Sequence, residues 1–204
     1  MDSVRYYLAI VVLVTFPAAL PFWLLVHPFI KFWRQIGLLR TYTIHLSLFF
    51  LIAGGLFLLR GPLLMIDFGT SPTLTVLAVP IFVLACFVDL RRRRYLTEGV
   101  RFGLPELAPE RFPPRLLKEG IYARIRHPTY VAILLGLFAF ALFTNYLAVY
   151  LLFIPVVVAG YFIVRFEEKE LKNRFGDQYT QYCEAVPRFI PVKIGRRKDD
   201  NDNF

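Results

Sequence analysis

Residues 130–164 form a run of 35 residues without a single charge, fenced by Arg126-His127-Pro128 on one side and Arg165-Phe166-Glu167-Glu168 on the other. A helix that crosses a bilayer needs about 20 apolar residues, so this run is too long for one crossing and suits two. Its only polar break, Thr144-Asn145 before Tyr146, reads as the tip of a tight helical hairpin. A chain that goes in and comes back delivers both fences to the same membrane face. Clusters far apart in sequence thereby become neighbours in space, which is how an active site can be assembled at a membrane surface.

The rest of the chain has the same blockwise character. Hydrophobic residues make up 57% of it and the mean hydropathy is +0.54. A soluble domain spreads its apolar residues at helix or strand periods. Here residues 6–30 carry no charge beyond a neutral His27, 41–59 contain only His45, and 68–88 contain nothing ionisable of acid or base type. The reading is an all-α polytopic membrane protein with about five transmembrane helices, near 6–30, 42–59, 70–89, 129–144 and 146–165. A secretory signal peptide is the competing reading of the first block. The block is longer than a typical signal core and no clear small-x-small cleavage site follows it.

Of the 24 Lys and Arg, 22 fall in segments that such a topology places on one side, and only Arg5 and Arg60 on the other. The positive-inside rule assigns the crowded side to the cytoplasm, with the N-terminus outside and the C-terminus in. Topology and anionic headgroups account for the net charge of +9, and no nucleic-acid motif accompanies it. Cys86 lies in a span and Cys183 on the cytoplasmic side, which argues against a disulfide. His27, His45 and His127 lack the ligand spacing of a metal site, so no metal is expected.

Four regions follow: a three-span part (1–90), an interfacial segment (91–128), a two-span hairpin with a C-terminal helix that forms a cofactor-binding core (129–191), and a disordered tail (192–204). Up to Arg126, the interfacial segment is broken by four prolines and three glycines but keeps too many large apolar residues for a free linker. It should lie along the headgroups or fold against the bundle. Within it, Arg91 to Arg94 reads as a stop-transfer anchor. The last span should continue as a helix to about Ala185, interrupted or bent at Gly176.

Pro128 suits the first turn of a helix. The amides before it, with Arg126 and His127, make a natural place for an anionic group; taken alone, the same residues are an interfacial anchor and a cap. Glu168 has Lys172 four residues on, and Glu170 has Arg174, as ordinary helix-surface pairs. Glu167 has only Leu171. Adjacent residues point about 100° apart, so the two glutamates cannot do the same job, and Glu167 is expected to face inward with an unpaired carboxylate. Arg188, held in Pro187-Arg188-Phe189-Ile190-Pro191, is placed to grip a carboxylate or a substrate headgroup.

Read together, Gly120-Ile121-Tyr122 … Arg126-His127-Pro128-Thr129-Tyr130 and Glu167-Glu168-Lys169-Glu170-Leu171 … Phe175-Gly176 … Tyr179 … Tyr182 … Val186-Pro187-Arg188-Phe189-Ile190-Pro191 resemble the isoprenylcysteine carboxyl methyltransferase and phospholipid methyltransferase superfamily of integral membrane enzymes. The resemblance covers roughly residues 116–191. It implies S-adenosylmethionine as methyl donor at the cytoplasmic side, held by Arg126, His127, Pro128, Tyr130, Glu167 and Glu168. It further implies Arg188, Glu167 and Tyr122 as the residues nearest the chemistry. Membrane lipids and a hydrophobic or lipid-tailed acceptor are the implied partners. Ala132 departs from the Gly that many members carry at that position. No Gly-rich adenosyl loop of the soluble type occurs, which excludes a Rossmann-like methyltransferase.

Two other readings compete. Tyr182-Cys183 with Val186-Pro187 echoes membrane sterol reductases that use NADPH. A non-enzymatic membrane scaffold that binds lipid would keep the same motifs as structure only.

Overall fold

The structure is a computed structural model that describes residues 1–96 and 98–191. The expected tail at 192–204 lies outside the described residues. The described chain is helical, without a named strand: α1 (Asp2–Val26), α2 (Ile30–Ile36), α3 (Leu38–Leu58), α4 (Arg60–Leu63), α5 (Pro72–Arg93), α6 (Glu98–Arg101), α7 (Leu104–Leu107), a 3-10 turn at Gly120–Ala123, α8 (Pro128–Thr144), α9 (Leu147–Leu151), α10 (Phe153–Phe175) and α11 (Asp177–Ala185). Among the described residues, four helical stretches are long and apolar enough to cross a membrane: α1, α3, α5 and the nearly continuous Leu147–Phe175. With 17 residues, α8 sits at the short end of the spanning range. The chain is an integral membrane protein by this architecture.

Several boundaries move from the expected ones, each for a local reason. The first span ends at Val26 and the chain restarts at Ile30 as the short α2, because His27-Pro28 turns it there. Gly37, at φ +85, turns the chain again into α3, which begins four residues before the expected start at 42. Ser71 caps α5 by accepting the Leu74 amide at 3.4 Å, and Pro72 follows at a position that needs no N–H. Asn145, at φ +55, is the left-handed cap that closes α8 at the hairpin tip. Gly176, at φ +54, ends α10 where the interruption is expected, and helix resumes to Ala185 as the separate α11, which packs on α10.

Around α1 the bundle assembles with α3 on one flank and α8 and α10 on the other, while α5 lies along α8 in the most extensive interface. Ala9, Val12, Leu137, Ala141, Val149 and Val156 form the centre of the core. Outward faces carry exposed Phe50, Leu51, Val76, Val83, Ile154 and Val158, the pattern of a surface that meets lipid tails. The interfacial segment folds against the bundle: Leu107 joins Val26 and Trp33 in a second cluster, and Arg34 donates to the Glu106 carbonyl at 2.7 Å. Gly120 is needed where it stands. Its φ is +60, and a Cβ there would lie 2.2 Å from the Tyr95 ring.

The helix order sorts the polar groups to two ends. At one end Arg5, 2% exposed, donates to the Thr144 carbonyl at 3.0 Å, to Thr70 at 3.1 Å and to Asp2 at 3.2 Å, and pairs with Asp67. Asn145 bonds the Gly69 carbonyl, and Asp67 bridges to Tyr146. This clasp joins the start of α1, the α4–α5 loop and the α8–α9 tip. Arg5 is therefore a buried structural cation as well as one of the sparse charges at its end of the bundle.

Candidate active site

The other end gathers the two fences. Arg126 and His127 arrive on the stretch before α8, Glu167 and Glu168 on the last turns of α10, and Arg188 on the return after α11. The return is stitched to the α8 start by backbone: the Arg126 amide bonds the Pro187 carbonyl at 2.9 Å and the His127 amide bonds the Arg188 carbonyl at 3.0 Å. Those two amides are therefore spent on the fold. The anion site expected at the amides before Pro128 is not open there. The Arg126 guanidinium adds bonds to the Cys183 and Val186 carbonyls, at 2.8 and 3.0 Å.

Glu168 is the hub. Its Oε1 accepts from Arg126 at 2.9 Å, from His127 Nε2 at 3.2 Å and from Arg188 Nε at 2.8 Å, while Oε2 takes Arg188 Nη2 at 2.6 Å. Its expected helix-surface pair with Lys172 does not form. Three cations converging on one carboxylate outcompete one solvated lysine four residues along the helix. The expectation that Arg188 grips a carboxylate holds, and the carboxylate is Glu168. Glu170 keeps Arg174 as expected and adds His27, whose Nδ1 lies 2.9 Å from Oε2.

Glu167 points to the bundle side, between Tyr130, which donates to it at 3.2 Å, and His127 Nδ1 at 3.6 Å. It was expected to be unpaired and has these two partners. Its side chain nevertheless stays 35% exposed, against 13% for Glu168 and 3% for His127. One carboxylate is thus saturated and the other retains an open side. Burial works against charge on the His127 ring, but the Glu167 and Glu168 carboxylates beside it prevail and raise its pKa from 6.5 to about 9. The imidazolium holds the two acids together.

Tyr122 is buried, makes no hydrogen bond to either carboxylate, and its carbonyl accepts the Tyr182 hydroxyl at 2.6 Å. It braces α11 against the stretch before α8. Pro128 opens α8 beneath His127, and Ala132 is buried one turn further on. Of the four buried polar side-chain atoms without a partner among the described residues, two lie at this end on Arg126 (Nε) and Tyr179 (the hydroxyl), the others being His45 Nε2 and Glu106 Oε2. Among the described residues no group of three or more His, Cys, Asp or Glu converges as metal ligands would.

His27 and Arg92 have buried partnerships that the sequence pattern does not announce. His27 stacks on Trp23 at a centroid distance of 5.1 Å beside Glu170. Arg92, within the expected anchor run, is 1% exposed and pairs with Asp89. Asp89 is the one signal that pointed to it, an acid three residues before a basic run.

The fold and the site define a membrane-embedded helical protein with a charged, partly open polar crown at one end of the bundle. The profile of the phospholipid methyltransferase family matches residues 73–178, just over half of the chain, and the chain belongs to that family. Methanethiol S-methyltransferase 1 of Bradyrhizobium diazoefficiens is 33% identical over 96 residues, covering 44% of this chain and 33% of that protein. Protein-S-isoprenylcysteine O-methyltransferase of Schizosaccharomyces pombe is 42% identical over 82 residues, covering 38% of this chain and 33% of its own. The matches therefore span about a third of each relative's length. No solved structure matches the chain.

Proposed function

We propose that this protein transfers a methyl group from S-adenosylmethionine to a hydrophobic or lipid-tailed acceptor at the cytoplasmic face of a membrane, with the N-terminus outside and the C-terminus inside. One observation carries the reading: in a chain of this family, the cluster knit together by His127 and Glu168 contains a Glu167 with an open side and a buried Arg126 Nε that has no partner among the described residues. An acceptor for a cation and a spare donor for a carboxylate in one cluster suit an amino-acid-bearing sulfonium.

When bound, S-adenosylmethionine supplies an electrophilic methyl on a sulfonium. The residues align and shield the reaction; in-line displacement needs geometry above all, and a near-attack pose can supply about 7–11 kcal/mol of the barrier. Glu167 faces the positive end of the donor. Arg126, with Tyr130 and His127 around it, fixes the amino-acid end. Glu168 and Arg188 are positioning residues that hold Arg126 and His127 in register, and Tyr122 and Pro128 set the backbone beneath them. A prenylcysteine carboxylate needs no base, whereas an amine or thiol acceptor must lose a proton, and Glu167 is the carboxylate with an open side to take it. The reductase echo in Tyr182 and Val186 is carried by packing residues, since both sit in the cluster with Tyr179, and needs no nicotinamide.

The test is transfer of labelled methyl from S-adenosylmethionine, in nanodiscs, to three acceptors: a prenylcysteine, an amine phospholipid and an alkane thiol. Transfer to one of them, lost in Glu167→Gln, is expected. A folded protein that methylates none of the three and does not bind the donor would sink the proposal.

A further inference from the structure

The face of α10 that carries Glu168 leads into a cleft of about 580 Å³ between α10 and α11, lined by Arg165, Phe166, Glu168, Lys169, Lys172, Tyr179, Thr180 and Cys183. Arg165, Lys169 and Lys172 stand at i, i+4 and i+7, so they form one stripe along the helix. All three are exposed, and their side chains have no hydrogen-bond or ion-pair partner among the described residues. The one acid in the cleft does not offset them, because Glu168 is already met by Arg126, His127 and Arg188. On the cleft wall, the Tyr179 hydroxyl is buried without a partner, and Tyr179 is 3% exposed.

The cleft also has an apolar approach. Tyr161 and Phe162 are 56% and 48% exposed on α10 immediately before Arg165, and Phe162 stacks on Phe166 at 6.4 Å, so the lipid-facing surface continues into the cleft. We infer that this cleft binds the phosphate-bearing headgroup of an anionic membrane lipid, whose acyl chains lie along the outer face of α10. Three unpaired cations supply the charge, the orphaned Tyr179 hydroxyl supplies a donor, and the exposed aromatics receive the chains. Charge separates this occupant from the methyl donor: S-adenosylmethionine carries one carboxylate against an ammonium and a sulfonium, and a net cation gains nothing from three further cations. A lipid held here touches α10 on one side and α11 on the other. It therefore braces the Gly176 hinge that brings Arg188 back to Glu168.

The experiment uses full-length protein and native mass spectrometry, with phosphatidylglycerol and phosphatidylcholine offered in equal amounts. S-adenosylmethionine affinity is read by calorimetry on the same samples. One variant carries Arg165→Gln, Lys169→Gln and Lys172→Gln; a charge-matched control carries Lys31→Gln, Arg40→Gln and Arg111→Gln. Wild type and control should retain one phosphatidylglycerol with at least a tenfold preference, and the cleft variant should lose that preference while binding the donor as wild type does. No preference in wild type, or equal loss in the control, overturns the inference. Loss of donor binding in a folded cleft variant would also overturn it, since the cleft would then belong to the donor. Equal competition by inorganic phosphate would overturn the lipid in favour of a free anion. Failure of the donor reading alone, with lipid preference intact, leaves this site standing.

Discussion

The two ends of the bundle are built from the same parts and use them differently. Each has a buried arginine, an acid and a backbone stitch that ties segments distant in sequence. At the Arg5 end every guanidinium nitrogen is bonded, to the Thr144 carbonyl, to Asp2 and Thr70, and to Asp67. No guanidinium nitrogen is left there to bind a ligand. At the Glu168 end the same chemistry closes around one carboxylate but leaves Glu167 a third exposed and Arg126 Nε without a partner. A fastener satisfies all its groups, whereas a site keeps some in reserve at a cost in stability. The contrast is the basis for proposing separate roles for the two ends, and substitutions can break it.

The largest loss of stability is expected from Glu168→Ala, which strands Arg126, His127 and Arg188. Removing one partner of a buried charge cluster costs about 3–5 kcal/mol, to be read from denaturation in mild detergent. A change near zero would mean that the hub is solvated. Next comes pH. The folded-state pKa of His127 is raised, so the stability it contributes is complete below about pH 6.5 and is lost as pH rises through about 9. The loss is on the order of 3 kcal/mol between pH 6 and 10. Unfolding measured across that window should flatten in His127→Gln; an unchanged slope would place the titration elsewhere.

How much of this contrast the residues announce differs between the ends. The uncharged run and its Thr144-Asn145 break mark the hairpin, and its turn geometry agrees, because local signals govern it: a long apolar stretch and an Asn that tolerates φ > 0. The gathering of Arg126, His127, Glu167, Glu168 and Arg188 at one end was also legible, from topology and motif order. The partner choices were not. Whether Glu168 takes Lys172 or Arg188 depends on where α11 returns, and that follows from the backbone bonds of Arg126 and His127 to residues 187 and 188. The burial of Arg5 was not legible for the same reason, since apart from the exposed Asp2 its partners lie at 67, 70 and 144.

A smaller effect is expected at the fastener. Arg5→Met should cost about 2 kcal/mol, since it leaves the Thr144 carbonyl unpaired, yet the folded fraction should bind S-adenosylmethionine with wild-type affinity. An affinity loss there would show that the two ends are coupled. Glu167→Gln should cost a similar amount, on the order of 1–2 kcal/mol near neutral pH, because the amide can still accept from Tyr130 but no longer offers a charge to the His127 imidazolium.

That last variant frames the most direct measurement: calorimetric titration of S-adenosylmethionine into nanodisc-embedded wild type, Glu167→Gln and Arg5→Met. The account predicts saturable binding in wild type and Arg5→Met, and binding at least tenfold weaker in a Glu167→Gln variant no less folded than Arg5→Met. Equal affinity in all three, or no binding by a folded wild type, would contradict it.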